Sequence, residues 1–340
     1  MRALGLGLLL FGSACATAPA PRLPDDPPAW TVGPALAPRA DGRASLVVYV
    51  TLDKLPVRAV DSLAPNYNGG LVRLTSPNAA RVIVKGAPAA PSWVVSRFVA
   101  ASVHALAVDR AGLDRLGLGE TGAWIDADTL TFTAAASVGP EWLAALNLDV
   151  PIAAFAHRPW IAMKPGVYVP HARDDAPGEH GPGGIGEVFP HPAPTGVAGD
   201  GSPVQTAEAL RASPAAGEAL TSAAMVTLRQ TQSGRGDSTD LLVLSYDQLG
   251  HIVEGFSPDS WETLDALLRL DQSLAALFDH LDRAVGKQRW SVVLSTSPDA
   301  DGHALWLMWG AGVTPGVTAG DVPVDAAPSA IAAALGLPPT

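Results

Sequence analysis

Leu241-Leu-Val-Leu-Ser-Tyr-Asp247-Gln-Leu-Gly-His251 is an apolar run that ends in Asp-x-x-x-His. It predicts a buried strand whose exit loop aims a carboxylate and an imidazole at one point. Leu46-Val-Val-Tyr-Val-Thr-Leu-Asp53 closes the same way, with one acid after a run of mostly β-branched or apolar residues. In open α/β sheets the working groups sit at the carboxyl ends of parallel strands. Asp53, Asp247 and His251 are therefore candidate metal ligands, and function depends on whether the chain holds enough donors to complete a site.

Strands alternate with helical stretches on either side of these runs. Strand 46–53 leads into Val57-Arg-Ala-Val-Asp-Ser-Leu, a helical turn or two, and then the Asn68-Gly-Gly turn. Val103–Val108 reads as a short buried strand ending at Asp109-Arg110, and residues 206–232 are Ala-rich and helical. An amphipathic helix is expected from Ser260 to Val285, with Asp259 and Ser260 as candidate caps and Leu264, Leu267, Leu268, Leu274, Leu277, Phe278 and Leu281 on one stripe. Strands at 290–295 and 304–309 and a short helix from Pro328 to Leu337 complete the series. The repetition predicts an α/β fold, a mostly parallel central sheet sandwiched by helices. Residues 170–204, dominated by Gly, Pro, Asp and His without periodicity, form a long loop of the kind that is functional or mobile.

The chain has 340 residues, 48% hydrophobic and 16% charged, enough for one domain with a large core over residues 45–340. A net charge of −11 without a basic cluster argues against nucleic acid as partner. Met1-Arg2, the apolar stretch Ala3–Phe11 and the small residues Gly12-Ser13-Ala14 before Cys15 read as a secretory signal over residues 1–15. Cys15 is the single cysteine, so no internal disulfide can form. Its placement resembles a bacterial lipobox, which implies a lipidated thiol, membrane anchoring and export to the periplasmic or outer-membrane face. Ala16 to Ala44 is Pro-rich and reads as an extended tether. No later segment reaches the ~18 apolar residues of a spanning helix.

The order of segments resembles the alkaline phosphatase superfamily, specifically the zinc-dependent periplasmic bacterial enzymes of the type I phosphodiesterase-like branch, with a threonine nucleophile and a Lys-x-Arg pair. Val47–Asp53 with Lys54 resembles the first strand and its metal-binding Asp, and Gly69-Gly70-Leu-Val-Arg-Leu74 the stretch that follows. Val103–Arg110, Thr121–Asp126, Pro140–Asn147, Thr239–His251, Phe256-Ser-Pro, Leu270-Asp271 and Asp325–Ile331 continue in family order. The resemblance implies that Asp53 serves one zinc, that Asp247 and His251 serve the other, and that Arg110 holds the substrate phosphate. Two such ions about 3.5–4 Å apart clamp the attacking and leaving oxygens of phosphoryl transfer.

Several family positions differ. Ser297 and Pro298 stand where the resemblance expects an Asp-His ligand pair, and the later His-Gly ligand has no counterpart. The block carrying the threonine nucleophile and substrate asparagine would lie between Arg73-Leu74 and Ser76-Pro77-Asn78, which nearly touch. Val108 takes the lysine position, leaving Arg110 alone of its pair. A zinc ion needs three or more protein ligands for its geometry, so this half-set implies no bound ion or one held weakly. Asp301 and His303 are the only substitutes nearby, and His303 matches a strand-opening histidine instead of a ligand.

Ordinary readings stand beside these. Asp53 caps a helix equally well, Asp247 and His251 make a plausible loop pair, and Arg110 pairs as readily with a local acid such as Asp126. His157, His171, His180 and His191 read as solvated loop residues, and the tryptophans as core. Three functions follow: a tethered pseudophosphatase keeping a remnant cleft for a phosphate-containing small molecule, an active metal-dependent phosphomonoesterase or phosphodiesterase with a rebuilt site, or an inert lipoprotein that binds a protein partner.

Overall fold

A computed structural model of the chain describes residues 35–86, 102–196, 202–299 and 301–335. Gly33–Thr340 forms one compact unit by itself, while Met1–Val32, with the expected signal and Cys15, lies outside the described residues.

Among the described residues, nine strands form one mixed sheet: β1 Leu46–Leu52, β2 Ala80–Lys85, β3 Val103–Ala107, β4 Ala123–Asp126, β5 Thr131–Ala134, β6 Asp240–Tyr246, β7 Trp290–Thr296, β8 His303–Gly310 and β9 Thr318–Pro323. Their order is β5-β4-β3-β6-β1-β7-β8-β2-β9. The centre is parallel, β3 to β6 to β1 to β7, while β4–β5, β7–β8 and β2–β8 pair antiparallel. The helices are α1 Val57–Leu63, α2 Gly70–Leu74, α3 Arg110–Arg115, α4 Pro140–Asp149, α5 Ile152–Ala156, α6 Pro165–Tyr168, α7 Pro203–Arg211, α8 Pro214–Thr231, α9 Gln248–Phe256, α10 Trp261–Leu281 and α11 Ala327–Ala334.

Alternation along each central strand feeds two layers, because successive side chains leave opposite faces. Leu46, Val48, Val50 and Leu52 join Leu242, Leu244 and Tyr246 in the core shared with α8, α9 and α10. Val47, Tyr49, Leu241, Val243, Val293 and Trp306 face the other way, into a core with Leu113 of α3 and Ile331 of α11. The apolar stripe expected on the long helix is buried along its length, from Leu264 to Leu281.

The structure adjusts several boundaries. The Ala-rich stretch is two helices, because Pro214 cannot continue the first, and Ser213 sits buried at the break. Ser260 caps α10 by accepting from the Thr263 amide, and the helix ends at Leu281 in a wider turn over Asp282–Gly286. Residues 36–44, expected within the tether, touch the body: the Leu36 amide donates to the Val285 carbonyl at 3.4 Å and Arg289 to the Ala37 carbonyl at 3.1 Å. The described part of the 170–204 loop is packed down, with Ile185 and His191 buried and Trp160 and His191 exchanging backbone hydrogen bonds. His191 is thereby no solvated loop residue; its Nε2 lies 2.9 Å from Glu262 Oε1, and both side chains are buried.

Candidate functional site

Strand register fixes the site before any side chain is considered. Leu52 is level with Tyr246 and with Thr296, and Ala107 with Ser245. One step further, Asp53, Asp247 and Ser297 are therefore level, and Asp109, two past Ala107, continues the row. In sheet order the carboxyl edge reads Asp109, Asp247, Asp53, Ser297. Sequence reasoning named the middle two. Asp109 was reachable by the same rule, since it too follows a buried strand.

Beneath this row lies a row of hydroxyls. Thr51 donates to Ser245 at 2.9 Å, and Ser245 donates to Asp247 Oδ1 at 2.8 Å. A donor chain of this kind leaves Asp247 as its final acceptor. Asp247 is only 2% exposed, and its Oδ2 also faces the Asp109 amide at 3.5 Å. Burial and the neighbouring Asp109 charge push its carboxyl up to about 7, against the pull of Arg115 and Ser245.

The cation beside it is Arg115, which no sequence signal had picked out. Its Nη2 hydrogen-bonds Asp247 Oδ1 and lies 3.6 Å from Asp53 Oδ2, so one guanidinium spans both strand-end acids. Helical side chains lean back toward the N-terminus, which carries Arg115, the last residue of α3, over the turn containing Gly112. Gly112 is itself set by Asp247: a Cβ there would lie 2.5 Å from Asp247 Oδ1 and 2.6 Å from Cγ. Asp53 is held from its other side, where Ser297 donates to Oδ1 at 2.8 Å and accepts from the Lys54 amide at 2.6 Å. Lys54 turns with φ of 54°, a left-handed conformation unusual for a residue with a side chain. Its ammonium pairs with Glu254.

His251 does not turn toward Asp247. Its Nε2 lies 2.9 Å from Asp109 Oδ2, and Nδ1 is 4.0 Å from Glu254. Burial opposes ionisation of Asp109, but hydrogen bonds from His251 and the Gly112 amide, with the charges of His251 and Arg115, bring it below the usual carboxylate range. Arg110 is likewise committed locally, to Glu120 at 3.0 Å and Asp114 at 3.6 Å, with its guanidinium 5.3 Å from the Trp124 ring. Asp126 instead accepts from the amides of Asp128 and Thr129. The contacts of His303 run to Asp299 at 4.0 Å and Asp321 at 3.4 Å, and the Asp301 amide donates to Asp299. The short link after Leu74 places Thr75 at the end of α2, its hydroxyl donating to the Leu71 carbonyl at 2.9 Å.

No family model matches the chain. Over 77 residues it is 38% identical to alkaline phosphatase PafA of Elizabethkingia meningoseptica, a stretch that is 23% of this chain and 14% of that protein. Over 67 residues it is 33% identical to alkaline phosphatase PhoV of Synechococcus elongatus, 20% of this chain and 12% of that one. Among solved structures it superposes on wild-type alkaline phosphatase PafA with a TM-score of 0.59 and on a quadruple mutant of PafA with 0.61, each at 20% identity over 75% of this chain. Those superpositions cover 62% and 63% of the PafA chains, so this chain spans just under two thirds of the proteins whose fold it shares. The central sheet with its flanking helices is the alkaline phosphatase fold. The superpositions show the fold, and the two local stretches are similar in sequence to alkaline phosphatases.

The resemblance implies zinc, and the donors at this edge can be tested against it. Among the described residues there is no group of three His, Cys, Asp or Glu side chains arranged to hold a metal ion. Asp247 and Asp53 face a guanidinium, His251 faces Asp109, and Ser297 offers a neutral hydroxyl already used by Asp53. Zinc would have to displace a cation and then find its remaining donors. The residues as arranged do not fit the ion. Among the described residues, no helix is long and apolar enough to cross a membrane.

Proposed function

We propose that this chain is an exported, lipid-anchored pseudophosphatase: a protein that keeps the alkaline phosphatase fold and its cleft without the machinery for hydrolysing phosphate esters. The reading is supported by one observation above all, the Arg115 guanidinium lying between Asp53 and Asp247. Phosphomonoester hydrolysis demands rate factors of up to ~10²¹, and the groups that supply them are a positioned nucleophile and a charge clamp on the transferring phosphoryl. Thr75 is tied to its own helix, whose Arg73 packs over Trp290 at the amino-terminal end of the sheet, and Arg110 is paired with two acids. Neither is placed to attack or to orient a phosphate.

Anchoring follows the sequence reading of Cys15, and export agrees with it. A phosphate-containing small molecule or a protein partner remains the natural occupant of a cleft that has lost its chemistry. Nucleic acid does not suit a chain carrying −11. The test is hydrolysis of an aryl phosphate and an aryl phosphodiester by the purified protein, with and without added zinc. Turnover indistinguishable from the buffer blank is expected. Zinc-dependent turnover that disappears on chelation would refute the proposal.

A further inference from the structure

We infer that Arg115 is the resident cation of this carboxyl edge, a built-in guanidinium that neutralises the strand-end acids in place of a divalent ion. The inference rests on the reading above and gives it a mechanism, since it assigns the position to a side chain of the protein itself.

Three independent features carry it. The first is placement: one nitrogen, Nη2, reaches Asp247 and lies 3.6 Å from Asp53, although the two acids close different strands, β6 and β1. The second is need. Asp247 is 2% exposed and sits between two other carboxylates in the row, and a buried charge without a partner is strongly destabilising. Lys54 and Arg110, the other cations named at this edge, are committed to Glu254 and to Asp114 with Glu120. The third is the backbone around it. Gly112 and Gly250 stand where a Cβ would meet Asp247 and Asp53 respectively, the latter at 2.8 Å from Oδ2. Both acids are thereby allowed close to the flanking helices, and Asp247 into contact with Arg115. A planar, permanently charged guanidinium suits this position, because the two N–H groups of Nη2 diverge and serve both acids from one nitrogen.

A guanidinium that fills a cation's place excludes competitors. Removing it leaves Asp53, Asp109, Asp247 and His251 without that guanidinium; as they stand no three of them form a metal-holding group, but three carboxylates and one imidazole are donor types that a supplied divalent ion can draw together. The experiment is therefore Arg115→Ala in the full chain, read by zinc titration calorimetry and by thermal unfolding with and without zinc or chelator. The wild-type midpoint should move with neither addition. The variant should unfold at a lower temperature, bind zinc at least about tenfold more tightly than wild type, and recover part of its midpoint with zinc in a manner reversed by chelator.

Should Arg115→Ala fail to fold, Arg115→Ala with Asp247→Ala decides the matter. That pair removes the uncompensated charge as well, so it should fold and show no zinc response. A double variant as unstable as the single one would overturn the inference. So would a folded single variant with the wild-type midpoint, or one whose zinc response is no greater than that of wild type. Hydrolysis enters none of these readouts: an active wild type sinks the pseudophosphatase proposal, whereas a zinc-indifferent Arg115→Ala sinks the resident cation alone.

Discussion

Gly112→Ala is expected to destabilise this protein, although the same change in most helices does the opposite. A helical glycine replaced by alanine ordinarily gains about 0.5–1 kcal/mol, because the unfolded chain loses freedom and the helix former improves. Position 112 has no left-handed φ to object to a side chain. The obstacle is Asp247, whose Oδ2 would lie nearest the new methyl, with Oδ1 and Cγ at 2.5 and 2.6 Å. That carboxylate cannot simply swing away, because Ser245 and Arg115 grip Oδ1 and the Asp109 amide faces Oδ2. Overpacking at a fixed group costs about 1–3 kcal/mol. Setting that against the helix gain leaves a net loss on the order of 1–2 kcal/mol. Urea unfolding of the purified chain measures it, provided the slope of the transition is unchanged. The decisive control is the same substitution in an Asp247→Ala background. There the methyl meets empty space, and Gly112→Ala should turn neutral or stabilising, a coupling of at least about 1 kcal/mol between the two sites. A single variant more stable than wild type, or a loss that persists unchanged without Asp247, would refute the contact.

Two further outcomes follow from the same structure. Asp265 is fully buried and accepts from Trp160 Nε1 at 2.6 Å, the Met163 amide at 2.6 Å, the Tyr168 hydroxyl at 2.7 Å and Arg269 Nε at 2.6 Å. Asp265→Ala strands those donors and leaves Arg269 with Glu218 and the Ile161 carbonyl, so denaturant unfolding should record a loss of about 3–5 kcal/mol; a loss below 1 would refute that role. Glu179 is pushed up to about 7 by burial and by the charge of Glu262. A carboxyl raised on folding stabilises the native state while protonated, so stability falls as pH rises from its unfolded value near 4.5 through about 7. Glu179→Gln should flatten that slope between pH 5 and 7 in thermal unfolding, and an unaltered slope would remove Glu179 from the account.

What the sequence revealed and what it hid divide along a physical line. Buried central strands carry continuous apolar runs, so β1, β6 and β7 were visible, together with the acids that end β1 and β6. The edge and hairpin strands were not: β9 reads Thr-Ala-Gly-Asp-Val-Pro and is largely exposed, and β4 and β5 have four residues each, too few for a period to declare itself. That Ser297 and Pro298 stand where the resemblance expects an Asp-His pair is a local fact of the sequence. What stands beside the strand-end acids is not local. Arg115 is one arginine on a six-residue helix, and only the register of β3 against β6 brings that helix beside Asp247. His191 was misjudged for the same reason: Gly and Pro around it indicate a loop, whereas its burial depends on Glu262, far along the chain in α10.

Charge balance at the carboxyl edge ties these observations together. Three carboxylates in one row, Asp109, Asp247 and Asp53, cannot all be ionised at close quarters without compensation. The protein distributes the burden over three devices. Arg115 covers the pair Asp247 and Asp53, His251 faces Asp109, and the buried member is pushed toward the neutral form, up to about 7. The paired acids and the raised central carboxyl are thus parts of one arrangement, each needed because the others are incomplete. A divalent ion at the same edge would make both the guanidinium and the raised carboxyl superfluous. Once Arg115 is in place, removing either Asp53 or Asp247 leaves the cation short of a partner, so the pair and its counter-ion are held together by the same penalty.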